Sequence, residues 1–192
     1  MKNIYFIRHC AYENPRNIFP GRLPVKLSTQ GIDQAKRLAK YFVDKKIEKI
    51  YSSEVLRCKQ TSQIISDNKI PTEFDQRLLE TLSAYQGYWF EKKEELDWKL
   101  FFSHHKKLGG ENLLKVQKRI LSFWKELVEK KETQIIICSH GDPLYCLYLF
   151  LTNKPLIDDL ANTPEDFQPE GSIREIAWKN QDSFEVLPII KP

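Results

Sequence analysis

The sequence predicts an α/β fold with a mostly parallel central sheet. Two observations carry this. Short continuous apolar runs alternate with stretches of helical periodicity over most of the 192 residues, which is the pattern of repeated strand–helix units. The runs themselves, above all Ile4-Tyr5-Phe6-Ile7 and Ile135-Ile136-Ile137, are apolar on both faces, as in strands covered on both sides. With 41% hydrophobic and 12% aromatic residues, the chain can fill the core of one domain over residues 1–192. Disordered, collagen-like and cysteine-stapled classes are excluded.

Taken in order, Ile4 to Ile7 read as a buried strand. Residues 10 to 27 hold three Pro and one Gly and read as a structured loop. Ser28 is a helix N-cap, followed by Ile32, Ala35, Leu38, Ala39 and Phe42 at helical spacing through about residue 46. Residues 47 to 51 form a second strand, residues 55 to 67 a helix, and residues 71 to 74 a short third strand. Residues 90 to 105 read as a helix, acidic at its start and basic at its end. Gly109-Gly110 punctuates. Leu113, Val116, Ile120, Phe123, Trp124, Leu127 and Val128 then mark a long amphipathic helix. Residues 134 to 138 are the clearest strand, 144 to 151 a helix, and 173 to 178 and 184 to 190 two late strands.

Charge excludes little. The chain carries 30 Lys+Arg against 26 Asp+Glu, a net charge of +4. The two signs are interspersed as on solvated helix faces, so nucleic acid is not an expected partner. Four Cys at positions 10, 58, 138 and 146 lack C-x-x-C spacing and suggest reduced thiols. Cys10, Cys58 and Cys138 flank candidate site residues; a redox-sensitive or adventitious zinc site with His9 and His140 is the sharper reading of them. No apolar run is long enough for a membrane span or a secretory leader. The expected setting is cytoplasmic, without a membrane partner.

Ligands of open α/β sheets lie beyond the carboxyl ends of the strands. After the first strand comes Arg8-His9; after the second, Ser52-Ser53 leads to Arg57; after the strand at 134 comes His140-Gly141. A histidine at a strand end is ordinarily a satisfied structural residue. Two histidines and two arginines at equivalent ends instead suit a phosphate-like oxyanion, with arginine forks on its oxygens. Walker A, dinucleotide-binding and zinc-hydrolase spacings are absent.

Arg8-His9 after an N-terminal strand, Ser53-x-x-x-Arg57-x-x-Gln60-Thr61, Arg77-Leu-Leu-Glu80 and Ser139-His140-Gly141 together resemble the histidine phosphatase superfamily, the phosphoglycerate mutase-like group. The loop from Asn17 to Gly21, the segment Val25 to Ala35, Gly109-Gly110-Glu111-Asn112 and Gly171-Ser172-Ile173 follow the family's order. The resemblance implies a three-layer α/β/α sandwich with a helical insert over the site at about 81–112, whose Tyr85, Tyr88, Trp89, Phe90 and Trp98 pack the core or shape the pocket. It implies a metal-independent phosphomonoester hydrolase acting on a small phosphorylated metabolite, with no cofactor, as a monomer or homodimer. His9 would attack phosphorus to form a phosphohistidine. Arg8, Arg57 and His140 would bind the phosphoryl oxygens, with Asn14 and the Gly141 amide as further contacts. Glu80 would be the proton donor, with Glu13, Glu111 and Asp142 as rival acids.

The chain departs from the family's pattern at Cys10, where Gly is usual, and at Ala11 and Tyr12. Two alternatives follow. A phosphoglycerate-type mutase shares the first loop but carries a larger, more basic insert. A non-catalytic phospho-ligand binding module would explain the lost Gly.

Overall fold

The side chains of Ile4, Tyr5, Phe6 and Ile7 are buried because their strand, β1 (Lys2–Arg8), lies inside a sheet and is covered on both faces. The computed structural model describes residues 1–89, 107–156, 165–181 and 183–192. Along the chain come α1 (Thr29–Phe42), β2 (Lys49–Ser52), α2 (Leu56–Ser66), β3 (Thr72–Phe74), a 3-10 turn (Gln76–Leu78), α3 (Leu113–Glu129), β4 (Gln134–Ser139), α4 (Gly141–Leu151), β5 (Ile173–Asn180) and β6 (Ser183–Val186). The six strands lie in the order β3-β2-β4-β1-β5-β6. The first four are mutually parallel, with Ile4 opposite Ile135 and Ile50 opposite Ile136. β5 and β6 run antiparallel.

The period-2 alternation of a strand divides the apolar side chains between two cores. Ile4, Phe6, Tyr51, Ile135 and Ile137 face α3 and α4. Tyr5, Ile7, Ile50, Ile136 and Cys138 face α1 and α2. Helices therefore cover both faces of the sheet, as the three-layer expectation requires. Among the described residues no helix is long and apolar enough to cross a membrane.

Several boundaries differ from the expected ones. α1 stops at Phe42, because its apolar stripe ends there: Val43 is 73% exposed and Lys46 has φ of +51°. The second strand begins at Lys49 rather than residue 47. α4 begins at Gly141, three residues early, because Pro143 falls in the first turn, where no amide partner is needed. The last strand ends at Val186, just short of Pro188, and Ile190 returns to pair with Ile173. The helix expected over 90–105 lies outside the described residues. Of the insert's aromatics, Tyr85 packs edge-on against Tyr88, and Trp89 is half exposed rather than core.

Candidate phosphate-binding site

The parallel strands end together. His9 N–H donates to Ser139 O (2.9 Å) and Ser53 N–H to Cys138 O (3.0 Å), so the residues after β1, β2 and β4 meet at one edge. Arg57 enters from the first turn of α2. Its helix face is braced there: Thr61 Oγ accepts from Cys10 N–H (3.1 Å) and Gln60 accepts from Leu27 N–H (2.8 Å). The Arg57-x-x-Gln60-Thr61 spacing thus ties the helix to the loop carrying Cys10.

His9, Arg57 and His140 are buried and bonded to one another. His9 Nδ1 lies 2.9 Å from Cys10 O, to which it can only donate. That leaves Nε2 as the lone-pair nitrogen, and it accepts from Arg57 Nε at 3.0 Å. Arg57 Nη2 donates to Gly21 O and lies 2.9 Å from His140 Nδ1. His140 Nε2 in turn faces Ser53 Oγ at 2.8 Å; while Arg57 donates to Nδ1, the neutral ring carries its proton on Nε2, and the hydroxyl can serve either tautomer. Burial, then Arg57 and other nearby charges, hold both histidines well below the usual imidazole range, so both are neutral.

Glu80 joins this group. Its Oε2 lies 3.7 Å from Arg57 Nη2 and 3.6 Å from His140 Nδ1, and Oε1 accepts from Thr81 N–H. The approach to it is pinned: Ser139 Oγ donates to Leu78 O (2.7 Å), and Asp75 caps the 3-10 turn. Burial, with the charge of Asp142, pushes Glu80 up to about 7 against the pull of Arg57. The carboxyl is poised to give or take a proton near neutral pH.

Arg8 reaches the site beside these groups. It donates to Gln168 O (3.0 Å), lies 3.6 Å from Glu170 Oε1 and sits over the Phe167 ring. Arg8 Nε and Arg57 Nη1 are buried donors without a hydrogen-bond partner among the described residues, which is what a guanidinium pair built to take an anion displays. The ligand atoms of His9, Glu80 and His140 also lie within 4.8 Å of one another, as a metal site would need. Arg57 stands among them and donates to the lone pairs a metal would use, so the charge of the site favours an anion.

A family profile described as histidine phosphatase superfamily (branch 1) matches residues 4–183. The chain belongs to this superfamily. It is 33% identical over 193 residues to a Hydrogenobacter thermophilus protein provisionally named phosphoserine phosphatase 2, covering 95% of this chain and 93% of that one. Its fold is similar to that of Bacillus stearothermophilus YhfR, with a TM-score of 0.83 at 24% identity over 97% of this chain and 95% of that one. It is also similar to the alpha-ribazole phosphatase from Shigella flexneri, with a TM-score of 0.83 at 20% identity over 99% and 96%.

Within this histidine phosphatase, the sequence-predicted Arg8, His9, Arg57, Glu80 and His140 converge. Asn14 does not join them by any hydrogen bond: its side chain closes a turn on Ile18, accepting from Ile18 N–H and donating to Ile18 O. Gly141 is needed for space, since a Cβ there would lie 2.4 Å from Phe167 and 3.5 Å from Arg8. Glu13 is exposed and pairs with Lys26. Glu111 is half-buried between Arg22 and Arg119. Burial raises its carboxyl, but those arginines and the Leu82 N–H outweigh it and hold it below the usual range, which is the wrong direction for an acid. Asp142 accepts from Thr81 Oγ.

Cys10 fits where the family has Gly, buried and with its backbone N–H on Thr61. Burial pushes its thiol up to about 12, and burial likewise raises Cys58, so neither is a reactive thiolate. All four Cys are free and buried. Sequence reasoning missed Phe167, Gln168 and Glu170, which reach Arg8 from a distant segment. It noted Tyr12 only as a departure, yet that ring lies edge-on to His9 (5.6 Å) and beside Arg57 (5.4 Å).

Proposed function

We propose that this histidine phosphatase hydrolyses a small phosphomonoester through a phosphohistidine on His9, without a metal. The observation that carries the reading is the bonded group itself: a neutral histidine with its Nε2 lone pair presented to an arginine, and a carboxyl poised near 7 beside them. Arg57 Nε, now on His9 Nε2, would transfer to a phosphoryl oxygen. The freed lone pair would attack phosphorus as the P–O bond to the leaving group breaks. Glu80 would supply the proton that the departing oxygen needs. The ring of the phosphohistidine carries positive charge, and Cys10 O, already accepting from Nδ1, is placed to stabilise it. Glu80, now a carboxylate, would take a proton from water as water attacks phosphorus and returns His9.

Arg8, Arg57 and His140 are assigned to the phosphoryl oxygens, His140 donating from Nδ1 in the tautomer in which Ser53 Oγ donates to Nε2, and loss of one donor commonly costs roughly 10²–10³ in rate. Phosphoserine is the first substrate to assay, because the Hydrogenobacter thermophilus relative carries that name. The test is to quench the protein during turnover of a phosphorylated substrate and look for an acid-labile phosphoryl group on His9. Turnover without that group, or phosphate binding without turnover, would sink the reading; the second outcome describes a phospho-ligand binding module. Isomerisation of a phosphoglycerate faster than its hydrolysis would point to a mutase.

A further inference from the structure

Glu111 belongs to the Gly109-Gly110-Glu111 stretch, which the phosphoryl chemistry does not use. Its surroundings give it a task. Glu111 Oε2 accepts from Arg22 Nη2 (2.7 Å) and Arg119 Nη2 (3.2 Å), and Oε1 accepts from Arg119 Nε (3.0 Å). Both arginines then turn to the segment carrying Glu80. Arg22 Nε donates to Glu80 O (2.7 Å) and Arg119 Nη2 to the same oxygen (3.2 Å). Arg119 Nη1 donates to Arg77 O (2.6 Å). On the far side, Leu82 N–H donates to Glu111 Oε2 (2.9 Å), and Glu111 N–H donates to Leu82 O (2.9 Å). The backbone is therefore held before, at and after Glu80.

This arrangement also reaches the phosphate grip through a single peptide. Arg57 Nη2 donates to Gly21 O, and the next residue is Arg22. The turn is seated by Gln86, whose Oε1 accepts from Arg22 N–H (2.7 Å). A Cβ on Gly21, where φ is +47°, would lie 2.8 Å from that same oxygen.

We propose that Arg22, Glu111 and Arg119 form a clamp of positioning residues that sets the reach of Glu80 to the leaving oxygen. Charge-assisted bonds that converge on one half-buried carboxylate make the clamp stiff. Proton transfer depends on placement, and a displacement of about 1 Å can cost roughly 10²-fold. The proposal rests on the hydrolase reading with Glu80 as the acid.

The test uses Arg119→Lys and Arg22→Gln, with two kinds of ester. One is an alkyl phosphate, whose leaving oxygen needs a proton; the other is an activated aryl phosphate, whose leaving group departs without one. The clamp predicts a fall in kcat/KM of about 10- to 100-fold for the alkyl ester and little change for the aryl ester. Combining either substitution with Glu80→Gln should add no further loss on the alkyl ester, because the clamp acts through Glu80. Equal losses on both esters, or losses that add to that of Glu80→Gln, overturn the proposal. If Arg119→Lys does not fold, Arg22→Gln, on the half-buried loop, gives the same readout. An intact protein that turns over neither ester overturns the hydrolase reading and the clamp with it.

Discussion

A histidine attacks phosphorus only as the neutral ring, and at His9 burial comes first in keeping it so, with Arg57 and Arg8 adding to the effect. Under the proposed mechanism, protonation of His9 is therefore not expected to limit turnover near neutral pH, and Glu80, as the proposed proton donor, sets the other limit. It must carry its proton to serve the leaving group, and at about 7 it loses that proton as the pH rises through neutrality. For an alkyl phosphate, kcat/KM falls above about pH 7; for an activated aryl phosphate that fall is absent. Parallel pH profiles for the two esters check this, and the same alkaline fall for both would remove Glu80 from the acid role.

The same shift has a consequence for stability. Between its unfolded value near 4.3 and about 7, folded Glu80 keeps a proton that the unfolded chain has lost. Stability is therefore lost as the pH rises across that window, and the cost persists above it. Glu80→Gln should stabilise the protein at pH 8 by on the order of 1–3 kcal/mol, and by less at pH 5, measured by denaturant unfolding at both. At this scale the sequence was readable where a residue follows a strand or sits in a spaced motif, as Arg8, His9, Arg57, Glu80 and His140 do. Arg22, Arg119 and Gln168 act through backbone carbonyls far away in sequence, and no local pattern announces such a contact.

Two glycines show how elements are brought to the site. Gly31 lies in the first turn of α1, and a Cβ there would be 1.8 Å from Ala11 O. That oxygen also accepts from Ser28 N–H, so it cannot simply move aside. Gly31→Ala should cost about 1–3 kcal/mol, the usual penalty for forced overpacking, and a melt of the purified variant checks it. Gly141 opens α4 under the Phe167 ring beside Arg8. Gly141→Ala should weaken inhibition by inorganic phosphate about tenfold, equivalent to roughly 1.4 kcal/mol. Unchanged inhibition would show that Phe167 yields without disturbing Arg8. The early start of α4 was hidden because Gly-Asp-Pro reads as a turn, whereas Pro is also acceptable in a first helical turn. The apolar faces of α1 and α3 and the apolar run of β4 were plain, whereas α2 buries Arg57, Thr61, Ser62 and Ser66 and shows no such stripe.

Over the whole molecule, the order of strands and helices was written in the hydrophobic pattern, and the direction of β5 was not. An apolar strand has the same composition whichever way it runs, and the pairing of β5 with β1 depends on tertiary contacts. The metal question also belongs to this scale, since His9, Glu80 and His140 come from three separate segments. With Arg57 among them, removing metals with a chelator should leave turnover unchanged; activity lost to the chelator and restored by a divalent cation would assign the trio to a metal.

The reversed run of β5 has its own effect. It starts at the edge where β1 ends, so Gly171 N–H reaches Arg8 O and His9 O, and Gln168 holds both Phe6 O and the Arg8 guanidinium. During synthesis His9, Arg57 and His140 all leave the ribosome before these partners exist. A copy that stops short of residue 167 lacks the contacts that hold Arg8 and His9, and is expected to bind phosphate more weakly than the full chain.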